Sequence, residues 1–181
     1  YKVQQGGMVT FDTETTGLSS KYDDILQITI AGQHGEILLS TYVKPQNCTS
    51  WEESFEIHGI SPEMVEFAPT ADKVAVVVKQ IFDQADMIVG YNVGFDTKMV
   101  TARFHYDFEQ KNVIDVLPLF RNYCKLNLTK GEGRAAYLVE GETIHTKLSD
   151  AVLALLGKQE FDIFQNEAHD AEADTLETAK V

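Results

Sequence analysis

The sequence predicts one α/β domain, built on a mixed β-sheet with helices against its faces. Three strand-like segments follow one another near the N-terminus, and the short connections between them favour antiparallel pairing. Strand-like and helix-like segments then alternate, which is typical of parallel strands joined by helices. The 181 residues, of which 44% are hydrophobic, are enough for a single domain with its own core.

The first three predicted strands are short apolar runs that end at turn-forming residues. They cover Met8–Thr13, Ile25–Ala31 and Glu36–Val43, and the Gly-containing loop 32–35 has the length of a hairpin connection. Residues 51–70 show no regular pattern and contain two prolines, so we expect irregular structure there.

The next part of the chain alternates between helices and buried strands. Apolar residues recur at helical spacing from Ala71 to Gln84, and Thr70 precedes them as a candidate N-cap. The further segments predicted here are a strand Met87–Val89, a helix Phe95–Tyr106, a strand Val113–Val116 and a helix Leu117–Tyr123. The predicted sheet therefore has two more strands, each followed by a helix.

The last third of the chain is less regular. The glycine-containing stretch 127–146 predicts a loop or an irregular hairpin. Ser149 is a candidate N-cap for a helix that Gly157 ends, and a final helix begins near His169–Asp170. We expect one domain over residues 1–181, with residues 1–7 a leader or tag remnant and the final helix truncated.

Charge and composition exclude several classes of protein. The 28 acidic and 15 basic residues give a formal net charge of −13. This argues against phosphate binding by lysine and arginine alone, but not against phosphate binding through metal ions held by carboxylates. Cys48 and Cys124 are far apart, which excludes a disulfide scaffold and a zinc ribbon and favours the reducing cytoplasm. No apolar run reaches the ~18–20 residues of a membrane span, and no signal peptide is recognisable, so we expect no membrane partner.

Candidate catalytic residues lie in three places. Asp12 and Glu14 stand at i and i+2 at the end of the first strand, so both point to one face, where close carboxylates repel each other unless a cation lies between them. Asp96 opens a helix after a predicted strand, at the edge where α/β sheets place their sites. His169 and Asp174 are about 140° apart on a helix, so both reach one site only if His169 precedes that helix. Taken singly, each also fits a plainer role as a solvated strand end, a helix cap or a surface histidine.

The turn after the first strand, Thr15-Thr16-Gly17-Leu18, allows two interpretations. Its glycine lets backbone amides approach a ligand, its hydroxyls can donate to a phosphate or sugar, and Leu18 can act as an apolar wedge against a base. Alternatively, it is an ordinary turn whose leucine folds back into the core.

The order of these residues resembles the DEDDh family of 3′→5′ exonucleases. A D-x-E pair, then N-x-x-F-D, then H-x-x-x-x-D follow one another, and the spelling FDTETTGL is similar to that of the proofreading exonucleases of bacterial DNA polymerase III. The stretch His58-Gly59-Ile60-Ser61 resembles a further element between the first two motifs. The resemblance implies an RNase H-like fold, which is a mixed five-stranded sheet with three antiparallel and then two parallel strands, flanked by helices.

By this resemblance, four carboxylates hold two divalent metal ions, Mg²⁺ or Mn²⁺. Asp12 bridges both ions, Glu14 and Asp174 complete the site on the side of the nucleophile, and Asp96 holds the second ion through water. His169 is the general base that takes a proton from the attacking water. The residues implied in substrate binding are Thr13, Thr15, Thr16, Leu18, His58, Asn92 and Phe95.

The resemblance also implies a substrate. The expected reaction is hydrolysis of the 3′-terminal phosphodiester of single-stranded or frayed DNA, with release of 5′-mononucleotides, in proofreading, DNA replication or repair. A paired 3′ end would not reach such a site, because its terminal base stays in the stack. Two alternatives stay open: an exoribonuclease with the same five residues, and a module whose main role is docking to a DNA polymerase or helicase.

Overall fold

The computed structural model describes residues 7–127, 139–140, 143–144, 147–165 and 169–181. Its centre is a five-stranded mixed sheet with the strand order β3-β2-β1-β4-β5. The strands are β1 (Met8–Thr15), β2 (Ile25–Gly32), β3 (Ile37–Tyr42), β4 (Met87–Gly90) and β5 (Asn112–Asp115). The first three pair antiparallel, and β4 and β5 run parallel to β1. The predicted fold class is therefore confirmed.

Helices follow the strands in the order that the sequence predicts for the central region. The first five are α1 (Glu52–His58), α2 (Pro62–Val65), α3 (Ala71–Gln84), α4 (Gly94–Phe104) and α5 (Val116–Asn127). The later ones are α6 (Leu148–Ala151), a π-helical segment Val152–Leu156, α7 (Lys158–Phe164) and α8 (Ala171–Lys180). Within the described ranges, no helix is both long and apolar enough to cross a bilayer.

β1 divides the molecule into an apolar side and a polar side. Val9 and Phe11 point into the main core, where they lie among buried side chains of α3 and α4 that include Phe82. The Phe11 and Phe82 rings meet edge to face, with their centroids 5.1 Å apart. Asp12 and Glu14 alternate with the core residues and therefore point to the opposite face.

α8 covers that opposite face. It packs against β1 and β2, and the Thr175 hydroxyl donates to the Ala171 carbonyl inside the helix, with the Thr29 carbonyl of β2 at 3.5 Å. Thr29 is the strand partner of Asp12. The last helix of the chain is thereby brought next to the carboxylates of the first strand.

The prediction of irregular structure for residues 51–70 is wrong, because α1 and α2 lie there. Pro62 is the first residue of α2, a position where the missing N–H costs no helical hydrogen bond, so it begins a helix rather than preventing one. Trp51 and Ile60 join Leu26 of β2 in a small second core. This contact between residues distant in sequence stabilises α1 and α2. It produces no periodic pattern in the sequence from which the helices could be predicted.

Helix boundaries also differ from prediction in several places. α4 ends at Phe104 rather than Tyr106, because His105 adopts a left-handed conformation with φ 52°. α6 begins at Leu148 after the N-cap Lys147, so Ser149 lies inside the helix and is not its cap. Gly157, with φ 99°, ends the π-helical segment as predicted, but it is also the N-cap of α7, a helix that the sequence analysis missed.

The predicted hairpin in the stretch 127–146 is confirmed where the structure describes it. Val139–Glu140 (β6) and Thr143–Ile144 (β7) pair antiparallel. Residues 128–138, 141–142 and 145–146 lie outside the described residues, as do residues 1–6 of the predicted leader.

Asp24 joins three segments around the turn that follows β1. Its carboxylate, which is 3% exposed, accepts hydrogen bonds from the backbone amides of Gln46, Asn47 and Cys48 at 2.6–3.0 Å. It also forms an ion pair with Arg103 Nε of α4 at 3.2 Å. The buried charge is thus compensated, and it ties α4 and the loop after β3 to the end of the β1–β2 connection.

We expect Asp24→Ala to lower the free energy of unfolding by about 3–5 kcal/mol, because it leaves the Arg103 charge unpaired in a mostly buried position. The measurement is urea denaturation followed by circular dichroism. Asp162→Ala is the matched control, since Asp162 pairs with Lys158 on the exposed surface of α7, where such a pair contributes about 0.3–0.5 kcal/mol. Equal losses in the two variants would contradict the role given to Asp24.

Candidate active site: a carboxylate cluster at the end of β1

Three carboxylates from opposite ends of the chain converge on the polar side of β1. Asp12 and Glu14 come from β1, and Asp174 comes from the first turn of α8. One oxygen from each lies within 4.8 Å of the other two. Among the residues that the structure describes, these three carboxylates form the group that could hold a metal ion.

Asp96 is the fourth predicted carboxylate, and it lies beside this group rather than in it. It belongs to the first turn of α4 and is 4% exposed. Its Oδ1 accepts hydrogen bonds from Thr13 N at 3.1 Å and Thr13 Oγ1 at 2.5 Å. Thr13, which the sequence analysis placed among the substrate-binding residues, is buried and holds Asp96 against β1.

The pKa values of all four carboxyl groups are raised. Burial is the largest cause in each case. It raises the pKa of Glu14 to about 9, that of Asp96 to about 7 and that of Asp174 to about 6. The pKa of Asp12 is also well above its usual value because of burial, and then because of the charges of Asp96 and Asp174. Ionisation of the cluster is therefore unfavourable unless positive charge is brought to it.

A divalent cation fits this donor set. Oxygens on opposite sides of one Mg²⁺ are about 4.2 Å apart, twice the metal–oxygen distance of about 2.1 Å, which matches oxygens that lie within 4.8 Å of one another. The ligand atoms are all carboxylate oxygens, which favour Mg²⁺ or Mn²⁺ over zinc. Two positive charges on a cation would offset the repulsion among these carboxylates and favour their ionised forms.

His169 precedes α8, as the spacing from Asp174 requires. Its side chain is exposed, its backbone is left-handed with φ 67°, and its N–H lies 3.4 Å from Asp174 Oδ1. The next residue, Asp170, is the N-cap of α8 and accepts a hydrogen bond from Glu172 N at 2.8 Å. A left-handed conformation is uncommon outside glycine, and here it turns the chain so that His169 and Asp174 face one cleft.

That cleft has a volume of about 660 Å³ and opens beside the carboxylates. His169 and Asp174 form one wall, and Tyr91 and Asn92 follow β4 on another. Arg121 and Lys147 also line it, and the Tyr91 hydroxyl donates to the Lys147 carbonyl at 3.0 Å. The space is large enough for a nucleotide-sized ligand, and its lining includes two basic residues although the chain as a whole is acidic.

The turn after β1 exposes its leucine. Leu18 is 87% exposed, which excludes the interpretation that it folds back into the core. The Thr15 hydroxyl donates to the Gly17 carbonyl at 2.8 Å, and the Thr16 hydroxyl donates to Asp23 Oδ1 at 3.2 Å. The hydroxyls that the sequence analysis assigned to substrate therefore stabilise the turn that presents Leu18.

Two other predicted substrate residues lie near the carboxyl end of β4. Asn92 is exposed in a left-handed conformation with φ 58°, and its N–H donates to Asp115 Oδ1 at 2.8 Å. Phe95 is partly buried and packs against the main core. Of these two, Asn92 is the one that borders the cleft.

His58, the remaining predicted substrate residue, uses both ring nitrogens for contacts within the protein. Nδ1 accepts a hydrogen bond from Ile60 N at 3.0 Å, and Nε2 lies 3.2 Å from the Thr15 carbonyl. No pattern in the sequence predicts these contacts. The resemblance of the stretch around His58 to a family element indicated a functional role for this residue, but it did not indicate which groups the ring contacts.

Comparisons with known proteins agree with this geometry. The model of an exonuclease family, RNase T, matches residues 9–181. An uncharacterized exonuclease, CP81 of Escherichia phage 186, is 36% identical over 99 residues, which are 54% of this chain and 50% of that protein. The PolC-type DNA polymerase III of Oceanobacillus iheyensis is 33% identical over 121 residues, which are 62% of this chain and 8% of the polymerase.

Solved structures give the same fold. Escherichia coli Exonuclease I in complex with a dA16 oligonucleotide has a TM-score of 0.75 at 20% identity and covers 97% of this chain, while the match covers 40% of that protein. The chain thus spans about half the length of the phage relative and less than a tenth of the polymerase.

Without divalent cations, we expect the melting temperature to fall as the pH rises between about 4.5 and about 9. Glu14 has an ordinary pKa of 4.5, and burial raises it to about 9 in the folded protein. In that range the folded protein keeps a proton that the unfolded chain has lost, so stability is greatest below the lower value and decreases toward the upper one. Thermal melts in EDTA over a pH series measure this.

Glu14→Gln is the control, because it keeps the shape of the side chain and removes its charge. We expect a weaker pH dependence for this variant in EDTA. Adding Mg²⁺ or Mn²⁺ should raise the wild-type melting temperature most at high pH, where the carboxylates are ionised. A melting temperature that rises with pH in EDTA would contradict the electrostatic description of the site.

Proposed function

The chain belongs to the DEDDh-type exonucleases of the RNase H-like superfamily, and on this basis we propose that it is a metal-dependent 3′→5′ exonuclease acting on single-stranded or frayed 3′ ends of DNA. It hydrolyses the terminal phosphodiester and releases 5′-mononucleotides. The observation that carries the proposal is the convergence of Asp12, Glu14 and Asp174, with Asp96 and His169 beside them.

Divalent metal ions are the proposed cofactors. Asp12, Glu14 and Asp174 would hold one Mg²⁺ or Mn²⁺, and Asp96 would serve a second ion together with Asp12. When bound, such ions polarise the phosphate and neutralise the charge that develops during hydrolysis. The residues of this chain contribute the placement: Thr13 holds Asp96 by two hydrogen bonds, and the strand and the helix that carry the other carboxylates pack against each other.

His169 is the proposed general base. It accepts the proton of the attacking water on its imidazole ring, and its exposure lets that proton pass on to solvent. The turn that carries His169 is tied to Asp174 through the backbone N–H. A proton acceptor and a metal-binding carboxylate are thereby held on the same wall of the cleft.

Features around the cluster support a nucleic-acid strand as substrate. Leu18 is exposed beside the end of β1, where an apolar side chain can separate the bases of a frayed end. Arg121 and Lys147 line the cleft and supply charge for phosphates. The solved relative Exonuclease I is seen with a DNA oligonucleotide, and the PolC-type polymerases among the relatives favour a role in proofreading beside a DNA polymerase.

Digestion of a short oligonucleotide tests the proposal. With a label at the 5′ end of single-stranded DNA, we expect a ladder of products that shorten stepwise in Mg²⁺ or Mn²⁺ and stay intact in EDTA. Asp12→Ala and Asp174→Ala should abolish the ladder, whereas Asp162→Ala on the exposed surface should not. Immediate release of a labelled mononucleotide would show the opposite polarity, and internal fragments would show an endonuclease. RNA of the same length tests the exoribonuclease alternative.

We expect His169→Ala to lower kcat by roughly 10²–10⁴, the usual contribution of general acid–base catalysis, while Mn²⁺ binding stays near the wild-type value. The side chain is outside the carboxylate group that holds the ion, so its loss removes a proton acceptor and no ligand. Steady-state kinetics and a calorimetric Mn²⁺ titration measure the two quantities. Loss of Mn²⁺ binding in this variant would contradict the assignment of His169 as the base.

A further inference from the structure

The imidazole of His58 is fixed by two hydrogen bonds to the backbone. Ile60 N donates to Nδ1 at 3.0 Å, and the Thr15 carbonyl lies 3.2 Å from Nε2. A neutral imidazole has one N–H and one acceptor nitrogen. Because Nδ1 accepts, Nε2 carries the proton and donates to Thr15. Burial lowers the pKa of His58, which favours this neutral form.

The ring is anchored to the body of the domain. α1 ends at His58, and Gly59 takes a left-handed conformation with φ 68° while its N–H donates to Phe55 O at 2.8 Å. Trp51 Nε1 donates to the Ile60 carbonyl at 2.7 Å, and Trp51 and Ile60 are both buried in the small core on β2. The donor at Nε2 is therefore held in place from outside the sheet.

The acceptor of this hydrogen bond lies next to a metal-binding carboxylate. Thr15 follows Glu14, and the pairing of β1 with β2 shifts register between these two residues. A register shift of this kind disturbs the regular ladder of backbone hydrogen bonds. At this point of β1, His58 supplies a donor that comes from α1.

We infer that His58 is a positioning residue of the carboxylate site, acting through the Thr15 carbonyl to fix the end of β1 that carries Glu14. The inference rests on the proposed function, since it concerns the metal site of that reaction. It replaces the substrate contact that the family resemblance implied for His58, because both ring nitrogens already have protein partners. Functional sites need their groups held to within about 0.5 Å, and the end of a strand at a register shift needs additional support to meet that limit.

Two substitutions separate the two hydrogen bonds. His58→Asn places a carbonyl oxygen where Nδ1 stands, so it keeps the contact with Ile60 and loses the one with Thr15. His58→Gln places an amide nitrogen where Nε2 stands, so it keeps the contact with Thr15 and loses the one with Ile60. Each variant loses one hydrogen bond, so their melting temperatures in EDTA should be similar.

The measurement is Mn²⁺ affinity by calorimetry, which requires no turnover. We expect His58→Asn to weaken Mn²⁺ binding by about 10–100-fold, as is usual when a residue that supports a metal ligand is lost, and His58→Gln to stay close to wild type. In oligonucleotide digestion, excess Mn²⁺ should restore kcat of His58→Asn without a change in KM. Equal Mn²⁺ affinities in both variants would overturn the inference, and so would a raised KM with unchanged Mn²⁺ affinity, which indicates a substrate contact.

The wild-type protein offers a check that needs no substitution. Nitrogen NMR of the histidine rings should show the Nε2–H tautomer for His58, and Mg²⁺ should shift its Nε2–H resonance. The Nδ1–H tautomer would overturn the inference even if a variant fails to fold. A wild-type chain that binds no Mn²⁺ would overturn the proposed function as well, whereas normal Mn²⁺ binding in wild type and both variants would overturn the role of His58 alone.

Discussion

Repulsion among carboxylates is the constraint on which the rest of this structure depends. Asp12, Glu14 and Asp174 are brought within one ion's reach of each other, and Asp96 adds its charge from α4. Burial and mutual repulsion both oppose ionisation, so the metal-free cluster costs free energy whenever it is charged. Binding of a cation relieves this repulsion. The free energy of cation binding to such a site is therefore expected to be strongly favourable.

The scaffold keeps these groups together by combining elements distant in sequence. β1 directs apolar side chains to one face and carboxylates to the other, so one strand contributes to both the core and the site. Thr13 reaches Asp96 from the apolar side through its backbone N–H and its hydroxyl, and α8 closes over the polar side. Asp96 and Asp174 therefore cannot move away from β1 with their helices unless these contacts are lost.

Local periodicity explains which elements the sequence predicted well. α3 has the predicted bounds because apolar residues recur at helical spacing from Ala71 to Gln84, and the placement of Asp12 and Glu14 on one face follows from the two-residue repeat of a strand. α1 and α2 were missed because they are short and depend on the contact of Trp51 with β2. The meeting of Asp174 with β1 has no local signal at all, and only the resemblance to a family predicted it.

Partners of polar groups were the least predictable part of the site. The family resemblance implied contacts with substrate for Thr13, Thr15, Thr16 and His58, yet their hydrogen bonds are made to Asp96, to the turn and to the backbone. A hydroxyl or an imidazole in a motif can serve a ligand or the residues that hold the ligand's site, and sequence does not distinguish the two. The distinction depends on which protein groups the fold brings within hydrogen-bond distance, as the Thr15 carbonyl at the register shift after Glu14 lies 3.2 Å from His58 Nε2.

The acidic composition shows why the location of charge matters more than its sum. At physiological salt, charges separated by more than about 8 Å are largely screened from each other, so most of the net charge of −13 has little influence on a phosphate in the cleft. What acts there is the carboxylate cluster, any cation that it holds, and Arg121 and Lys147 on the cleft wall. A cation held by the cluster would offset its negative charge, so the local charge in the cleft would differ from that of the whole chain. Net charge is therefore a poor guide to the ligand of an enzyme whose phosphate receptor is a metal ion.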